Sequence, residues 1–170
     1  EYKIKDDAVV IAFTGRLLKE KGIYELIEAV ERYNHTQNEK VYLLLAGEGE
    51  EMDYVKRHQS EYIVPLGRLK FEDIISLLVQ SDIFCLPSVS EGFSTSALEA
   101  AACSCYIITT ERGGTKELVA GEEYGAVMPD NSVEHIYRAV DRAVRDAELR
   151  KKGQELCYNR LKDKFTWQHT

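Results

Sequence analysis

Two carboxylates, Glu91 and Glu99, stand with seven residues between them in the run PSVSEGFSTSALEAAA, residues 87–102, and Ser94, Thr95 and Ser96 lie in the interval. An ionised carboxylate is a pure acceptor that takes two hydroxyl donors at once, so a sugar is its natural ligand. The run follows the apolar residues Ile83, Phe84, Cys85 and Leu86 and passes into a segment rich in Ala and Leu, which reads as strand, loop, helix. A helix entered in this way presents unpaired N–H groups and the positive end of its macrodipole, so residues 92–96 suit an anion such as phosphate. The same composition also fits a surface loop ahead of an ordinary Ala-rich core helix, with Glu99 merely solvated. Two cations, Arg16 and Lys21, follow the first apolar run of the chain. They therefore stand at the C-terminal end of a strand, where open parallel sheets bind their ligands. The alternative there is a solvated loop with two surface cations.

The elements that must position these residues are legible from periodicity. Residues 9–13 (VVIAF), 41–46 (VYLLLA), 62–66, 83–86, 105–109 and 124–128 are short apolar runs, expected as strands buried on both faces. Between them, Ile23, Leu26, Ile27 and Val30 recur at helical spacing, residues 51–59 fit a short helix, and Ile74, Ile75, Leu77 and Leu78 supply another packed helix. Asn131 opens an Asn-x-x-Glu pattern expected to act as a capping box. Val133, Ile136, Tyr137, Val140 and Val144 mark the helix behind it, and residues 148–164 form a last one. Strands alternating with helices predict an α/β class fold, a doubly wound and mostly parallel six-stranded Rossmann-like sheet, with the ligand crevice at the strand C-termini. Gly47-Glu48-Gly49 reads as a tight turn with no ligand role.

At 170 residues and 44% hydrophobic content the chain can bury one sizeable core, so a single domain over residues 1–170 is expected. The formal net charge of −7 argues against a nucleic-acid or anionic-membrane surface, which needs a basic stripe. The cysteines at 85, 103, 105 and 157 form no C-x-x-C pair and sit mostly in or beside apolar runs. Reduced buried thiols and a cytoplasmic location are the expectation, and Cys103 with Cys105 lacks a second pair to complete a metal site. No apolar run reaches the length of a membrane span, and no signal peptide is visible. The chain opens on Glu-Tyr-Lys and stops at residues 165–170 without a visible helix terminator, so it reads as a fragment of a longer protein.

The segment EGFSTSALEA, with Glu91 and Glu99, resembles the donor-site signature of the retaining group 1 glycosyltransferases, whose two-domain fold is called GT-B. The flanking matches follow in order: Gly15-Arg16 and Lys21-Gly22 for the family's Gly-Arg and Lys-Gly pattern, Gly47-Glu48-Gly49 for its Gly-x-Gly, residues 113–117 for its Gly-Gly-x-x-Glu, and Phe165-Thr166-Trp167 for its Phe-Ser-Trp. The resemblance covers nearly the whole chain. It implies the donor-binding domain of an enzyme that moves a sugar from a UDP- or GDP-sugar to a polysaccharide, lipid or small-molecule acceptor. Glu99 would hold the ribose hydroxyls, the segment Gly92, Phe93, Ser94, Thr95 and Ser96 the diphosphate, and Glu91 the transferred sugar. Arg16 and Lys21, beside Gly15, would stabilise the leaving diphosphate, while Arg68 and Leu69 would frame the base. The catalytic set is thus Glu91, Arg16 and Lys21.

The resemblance also implies an N-terminal acceptor domain and a final helix outside this chain, which by itself would bind donor and transfer poorly or not at all. Membrane association, at the inner face, would come only through that other domain. No Asp-x-Asp motif is present, so no metal and no cofactor is expected, with Arg and Lys doing the work of a divalent cation. Two other classes stay open: a catalytically silent nucleotide-binding or assembly domain, whose mark would be loss of Glu91, Arg16 or Lys21, and another GT-B enzyme such as a sugar-nucleotide epimerase or a phosphorylase. The sequence departs from the family at Ser104, where Gly is common, and at Tyr106 and Lys116, where Pro is common. The first two departures are expected to affect turn geometry and packing. Ser94-Thr95-Ser96 replaces a Gly or Pro and larger apolar residues, so these hydroxyls either bind phosphate or cap the helix.

Overall fold

The computed structural model describes residues 4–90, 92, 94–112 and 115–164. Six strands form one sheet: β1 (Val9–Thr14), β2 (Val41–Ala46), β3 (Ile63–Gly67), β4 (Ile83–Leu86), β5 (Tyr106–Thr110) and β6 (Gly125–Met128). Their spatial order is β3-β2-β1-β4-β5-β6. Every pairing is parallel, so the sheet is parallel throughout rather than mostly so. The helices between strands are α1 (Ile23–Thr36), α2 (Met52–Arg57), α3 (Phe71–Val79), α4 (Thr95–Ala102) and α5 (Thr115–Leu118), followed by α6 (Val133–Arg145) and α7 (Ala147–Lys164). One layer contains α1 packed on α2 and α6, and the other contains α4 packed on α3 and α7. With both faces covered, the strands carry apolar side chains on both sides, and all six residues of β2 are buried.

The pairings locate a gap in the sheet. β1 and β2 run in register over all six residues, from Val9 opposite Val41 to Thr14 opposite Ala46. β1 and β4 pair only at Ile11 with Ile83 and Ala12 with Phe84. Beyond Ala12 the two strands part. Their crossovers leave in opposite directions, β1 toward β2 and β4 toward β5, and this reversal is where open α/β sheets form a ligand crevice.

Ile23, Leu26, Ile27 and Val30 are fully buried, as their spacing predicts. Ile74 and Ile75 are only half-buried, so the core face of α3 narrows to Leu77 and Leu78. The expected cap of α6 shifts by one residue. Asp130 Oδ1 accepts from the Ser132 amide at 2.9 Å, and this turn presents Ser132, not Asn131, as the cap, its Oγ accepting from His135 N at 3.2 Å. Glu134 accordingly closes no capping box. Its carboxylate instead takes Arg32 of α1 at 2.6 Å and Arg138 at 2.8 Å. Cys85, Cys105 and Cys157 are buried free thiols, and Cys105 Sγ lies 3.2 Å from the Leu78 carbonyl. No helix among the described residues is long and apolar enough to cross a membrane.

The departures at Ser104 and Tyr106, at the entrance to β5, have structural counterparts. Ser104 holds φ at 62°, a left-handed conformation that costs a residue with a Cβ about 1–2 kcal/mol. Tyr106 is buried under α7, where a Cβ on Gly153 would come within 2.8 Å of its ring. Ser104→Gly is expected to stabilise the fold by about 1 kcal/mol, raising the melting temperature by about 2–4 °C. A calorimetric scan reads this directly, and an unchanged or lower midpoint would show that the turn is not strained by its side chain.

Candidate functional site

The loop leaving β1 is pinned by an apolar plug. Leu17 is fully buried between Arg16 and Lys21, and a 3-10 turn at Lys19–Lys21 closes the loop against Gly22. Leu17 N donates to Glu48 O at 2.9 Å, and Leu17 O accepts from Glu51 N at 2.9 Å, which stitches this loop to the one after β2. Gly47 N in turn donates to Gly67 O at 2.8 Å, tying in the end of β3. On the other side, Val89 N donates to Glu20 O at 2.9 Å, and Thr110 Oγ1 donates to Ser88 O at 2.7 Å. Five strand ends are thus joined into one rim.

Two of the contacts require glycine. A Cβ on Gly47, at φ 145°, would sit 1.8 Å from the Gly15 carbonyl oxygen, and one on Gly22, at φ 76°, would sit 2.1 Å from that of Pro87. Gly22 also opens α1 as its N-terminal cap residue.

Two cavities meet at Gly15 on this rim. The larger, of about 690 Å³, is lined by Gly15, Arg16, Ala46, Gly47, Glu48, Gly49, Arg68, Leu69 and Ile74. Its wall combines an apolar patch, Leu69 and Ile74, with two exposed guanidinium groups. The smaller, of about 160 Å³, is lined by Thr14, Gly15, Lys21, Leu86, Ser94, Thr95 and Ser96, and occupies the space opened by the parting of β1 and β4. Lys21 and the start of α4 both contribute positive potential there, and no carboxylate stands in its described wall. Such a pocket favours an anion.

Ser94 is the N-cap of α4, its Oγ accepting from Ala97 N at 3.2 Å, so this hydroxyl serves the helix first. The amides of Thr95 and Ser96 belong to the first turn, where helical geometry supplies no partner. Glu99 lies four residues beyond Thr95 and three beyond Ser96, hence on the same helix face, but it lines neither cavity. Burial pushes its carboxyl pKa above the ordinary glutamate value. Gly92 is exposed with open space around it and lines neither cavity. Glu91 and Phe93 lie outside the described residues, as do Gly113, Gly114 and residues 165–167 of the end motif.

The geometry therefore gathers Gly15, Arg16, Lys21, Arg68, Leu69, Ser94, Thr95 and Ser96 around two adjoining cavities. It adds residues that sequence reading passed over. Gly47, Glu48 and Gly49 line the larger cavity rather than forming only a turn. Ile74, assigned to the core by its periodicity, lines the same wall. Thr14 and Leu86 lie at the strand ends flanking the smaller cavity. The Gly-x-Gly spacing was the available signal for the first group; nothing in a strand pattern marks the others. A third cavity, of about 620 Å³ against β6, contains none of the expected site residues.

Because Gly22 combines a left-handed φ with a clash against backbone, Gly22→Ala is expected to cost about 3 kcal/mol or more, from strain and overpacking together. Denaturant unfolding of this variant measures the cost. A loss below about 1 kcal/mol would mean that the rim yields easily.

Comparison with known proteins accords with this arrangement. The family model for glycosyl transferases group 1 matches residues 1–159. An uncharacterized glycosyltransferase of Methanocaldococcus jannaschii is 31% identical over 173 residues, covering 97% of this chain and 44% of that protein, so the chain spans less than half the length of such a relative. The crystal structure of the C-terminal domain of a glycosyl transferase group 1 family protein from Francisella tularensis superposes with a TM-score of 0.82 at 26% identity, over 94% of this chain and 87% of that one. Anabaena HepE, solved in complex with UDP and glucose, shares the fold with a TM-score of 0.77 at 21% identity, over 90% of this chain and 43% of that one. The six-stranded parallel sheet, the crevice at its switch point and the extent of the family match together establish that the chain belongs to the group 1 glycosyl transferases.

Proposed function

We propose that this chain is the donor-binding domain of a retaining glycosyltransferase, which takes a UDP- or GDP-sugar and presents its anomeric carbon to an acceptor held by a separate N-terminal domain. The observation that carries this reading is the meeting of the two cavities at Gly15: an anion pocket between Lys21 and the start of α4, and a larger cleft with an apolar wall at Leu69 and Ile74. A nucleoside diphosphate has this pairing of a flat base with a compact, highly charged group. The UDP bound in the structurally similar HepE supports the same assignment of ligand class.

In this reading the base occupies the larger cavity, with Leu69 and Ile74 against it. Glu99, on the face shared with Thr95 and Ser96, accepts from the ribose hydroxyls. The diphosphate lies across Gly15, where the absence of a side chain permits close approach. When the sugar C1–O bond breaks, its electron pair stays on the diphosphate. Arg16 and Lys21 then stabilise that charge from fixed positions on the Leu17-anchored loop, electrostatic work that needs no reorganisation during reaction. These two cations do the work for which other transferases use a divalent metal. Glu91 completes the proposed catalytic set by binding hydroxyls of the transferred sugar.

Calorimetric titration with UDP, GDP and their sugar conjugates, with chelator present, tests the reading. One nucleotide series is expected to saturate, and Arg16→Ala or Lys21→Ala to weaken it by about 10–100-fold, the value of one hydrogen bond to a charged group. Absence of binding by either series, or its collapse on adding chelator, would refute the assignment.

Glu99 gives a pH signature. Its raised pKa means that protonation, which removes acceptor capacity, sets in at higher pH than for an ordinary glutamate. Affinity for the nucleotide is expected to fall as pH is lowered through this range, and Glu99→Gln to flatten that dependence. The same shift works against the folded state once the carboxyl ionises: a raised acid pKa favours folding at low pH and loses that contribution as pH rises through the folded value. Glu99→Gln is therefore expected to bind more weakly yet melt no lower at neutral pH; a lower melting point would contradict the cause assigned to the shift.

A further inference from the structure

Three threonines lie within the last two residues of a strand on the crevice side of the sheet, and two of them are satisfied. Thr109 Oγ1 donates to Leu86 O at 3.3 Å, and Thr110 Oγ1 donates to Ser88 O at 2.7 Å. Thr14, the last residue of β1, is only 3% exposed, and its Oγ1 has no hydrogen-bond partner. A hydroxyl withdrawn from water without a partner works against folding, and valine has nearly the same shape without that penalty. Nothing in the packing of β1 requires oxygen at this position.

Its surroundings supply the reason. Thr14 lines the smaller cavity opposite the start of α4, with Lys21 and Gly15 beside it and Leu86 across the gap between the parted strands. The cavity is therefore served by a cation, by the first-turn amides of an eight-residue helix, and by a hydroxyl donor that the protein leaves unused. The cation and the helix N-terminus both favour an anion, and the hydroxyl is the donor still without an acceptor.

We infer that Thr14 is a positioning residue for the diphosphate, its hydroxyl donating from the end of β1 to a phosphate oxygen seated between Lys21 and the first turn of α4. The inference rests on the donor-domain reading and adds to it a contact that no motif marks. It also gives the unsatisfied hydroxyl a function: stability is forgone in the empty protein and recovered when the ligand binds. The hydroxyl contacts the phosphate alone, so it should alter affinity for a nucleoside diphosphate and leave that for the nucleoside unchanged.

The test compares Thr14→Val and Thr14→Ser with the unmodified protein in calorimetric titrations of UDP, GDP and the corresponding nucleosides, alongside thermal melts. Thr14→Val is expected to lose about tenfold in affinity for the preferred diphosphate, to keep its affinity for the nucleoside within twofold, and to melt at the same temperature or higher. Thr14→Ser, which retains the donor, is expected to stay within about threefold for both. Equal diphosphate affinity in Thr14→Val and the unmodified protein, with Arg16→Ala still weakened, would overturn the inference while leaving the donor-domain reading intact. Parallel losses for diphosphate and nucleoside, or a lower melting point in Thr14→Val, would also overturn it by assigning the hydroxyl a structural role. Failure of the unmodified protein to bind either diphosphate would remove the donor-domain reading and this inference with it.

Discussion

The pairing of β1 with β4 ends at Ala12 and Phe84, two residues short of the end of both strands, and the rest of the site depends on that separation. In a parallel sheet each strand must be followed by a crossover, and crossovers that leave neighbouring strands in opposite directions cannot both fill the space above the seam. The seam is therefore open to solvent at the strand C-termini and closed by apolar packing below. Lys21 reaches it from the β1 loop, and α4 begins at its other side. Charge is concentrated there by topology as much as by residue choice.

An open seam lined by loops would ordinarily be compliant. Here the loops brace one another through backbone hydrogen bonds, and the close approaches at Gly47 and Gly22 leave no room for a side chain between them. Leu17 adds an apolar anchor in the middle of the segment that carries the two cations. The positions of Arg16 and Lys21 relative to the sheet are thereby fixed at the backbone. Surface pairs such as Arg32 with Glu134 add little to this, because both partners are exposed to solvent.

Much of the fold could be read in the residues because burial on both faces turns each strand into a continuous apolar run. VYLLLA and IFCL match β2 and β4 to the residue. β5 begins one position later than its apolar pattern suggests, since Cys105 still belongs to the turn that Ser104 bends. The cap of α6 was misplaced because three consecutive residues, Asp130, Asn131 and Ser132, can all cap, and only the turn made by Asp130 selects among them. The candidate site was legible where charge or glycine marks it, as at Gly15, Arg16 and Lys21. Ile74 was hidden by its own periodicity, which does not distinguish the wall of a cleft from the interior of a core. Thr14 was hidden likewise, because a β-branched residue ending an apolar strand fits the pattern whether or not its hydroxyl is used.

The crossing of α7 over β5 couples two side-chain positions. Gly153 and Tyr106 occupy one shared volume, with the Tyr124 carbonyl forming its third side, so the bulk of either side chain sets the limit for the other. Mutations at these two positions are then not independent: a larger residue at 153 meets the ring at 106, and with the ring gone it still meets the Tyr124 carbonyl oxygen at 2.9 Å. Tyrosine at 106 thus holds position 153 to glycine on a helix that would otherwise disfavour it, and substitutions at the pair are coupled rather than additive.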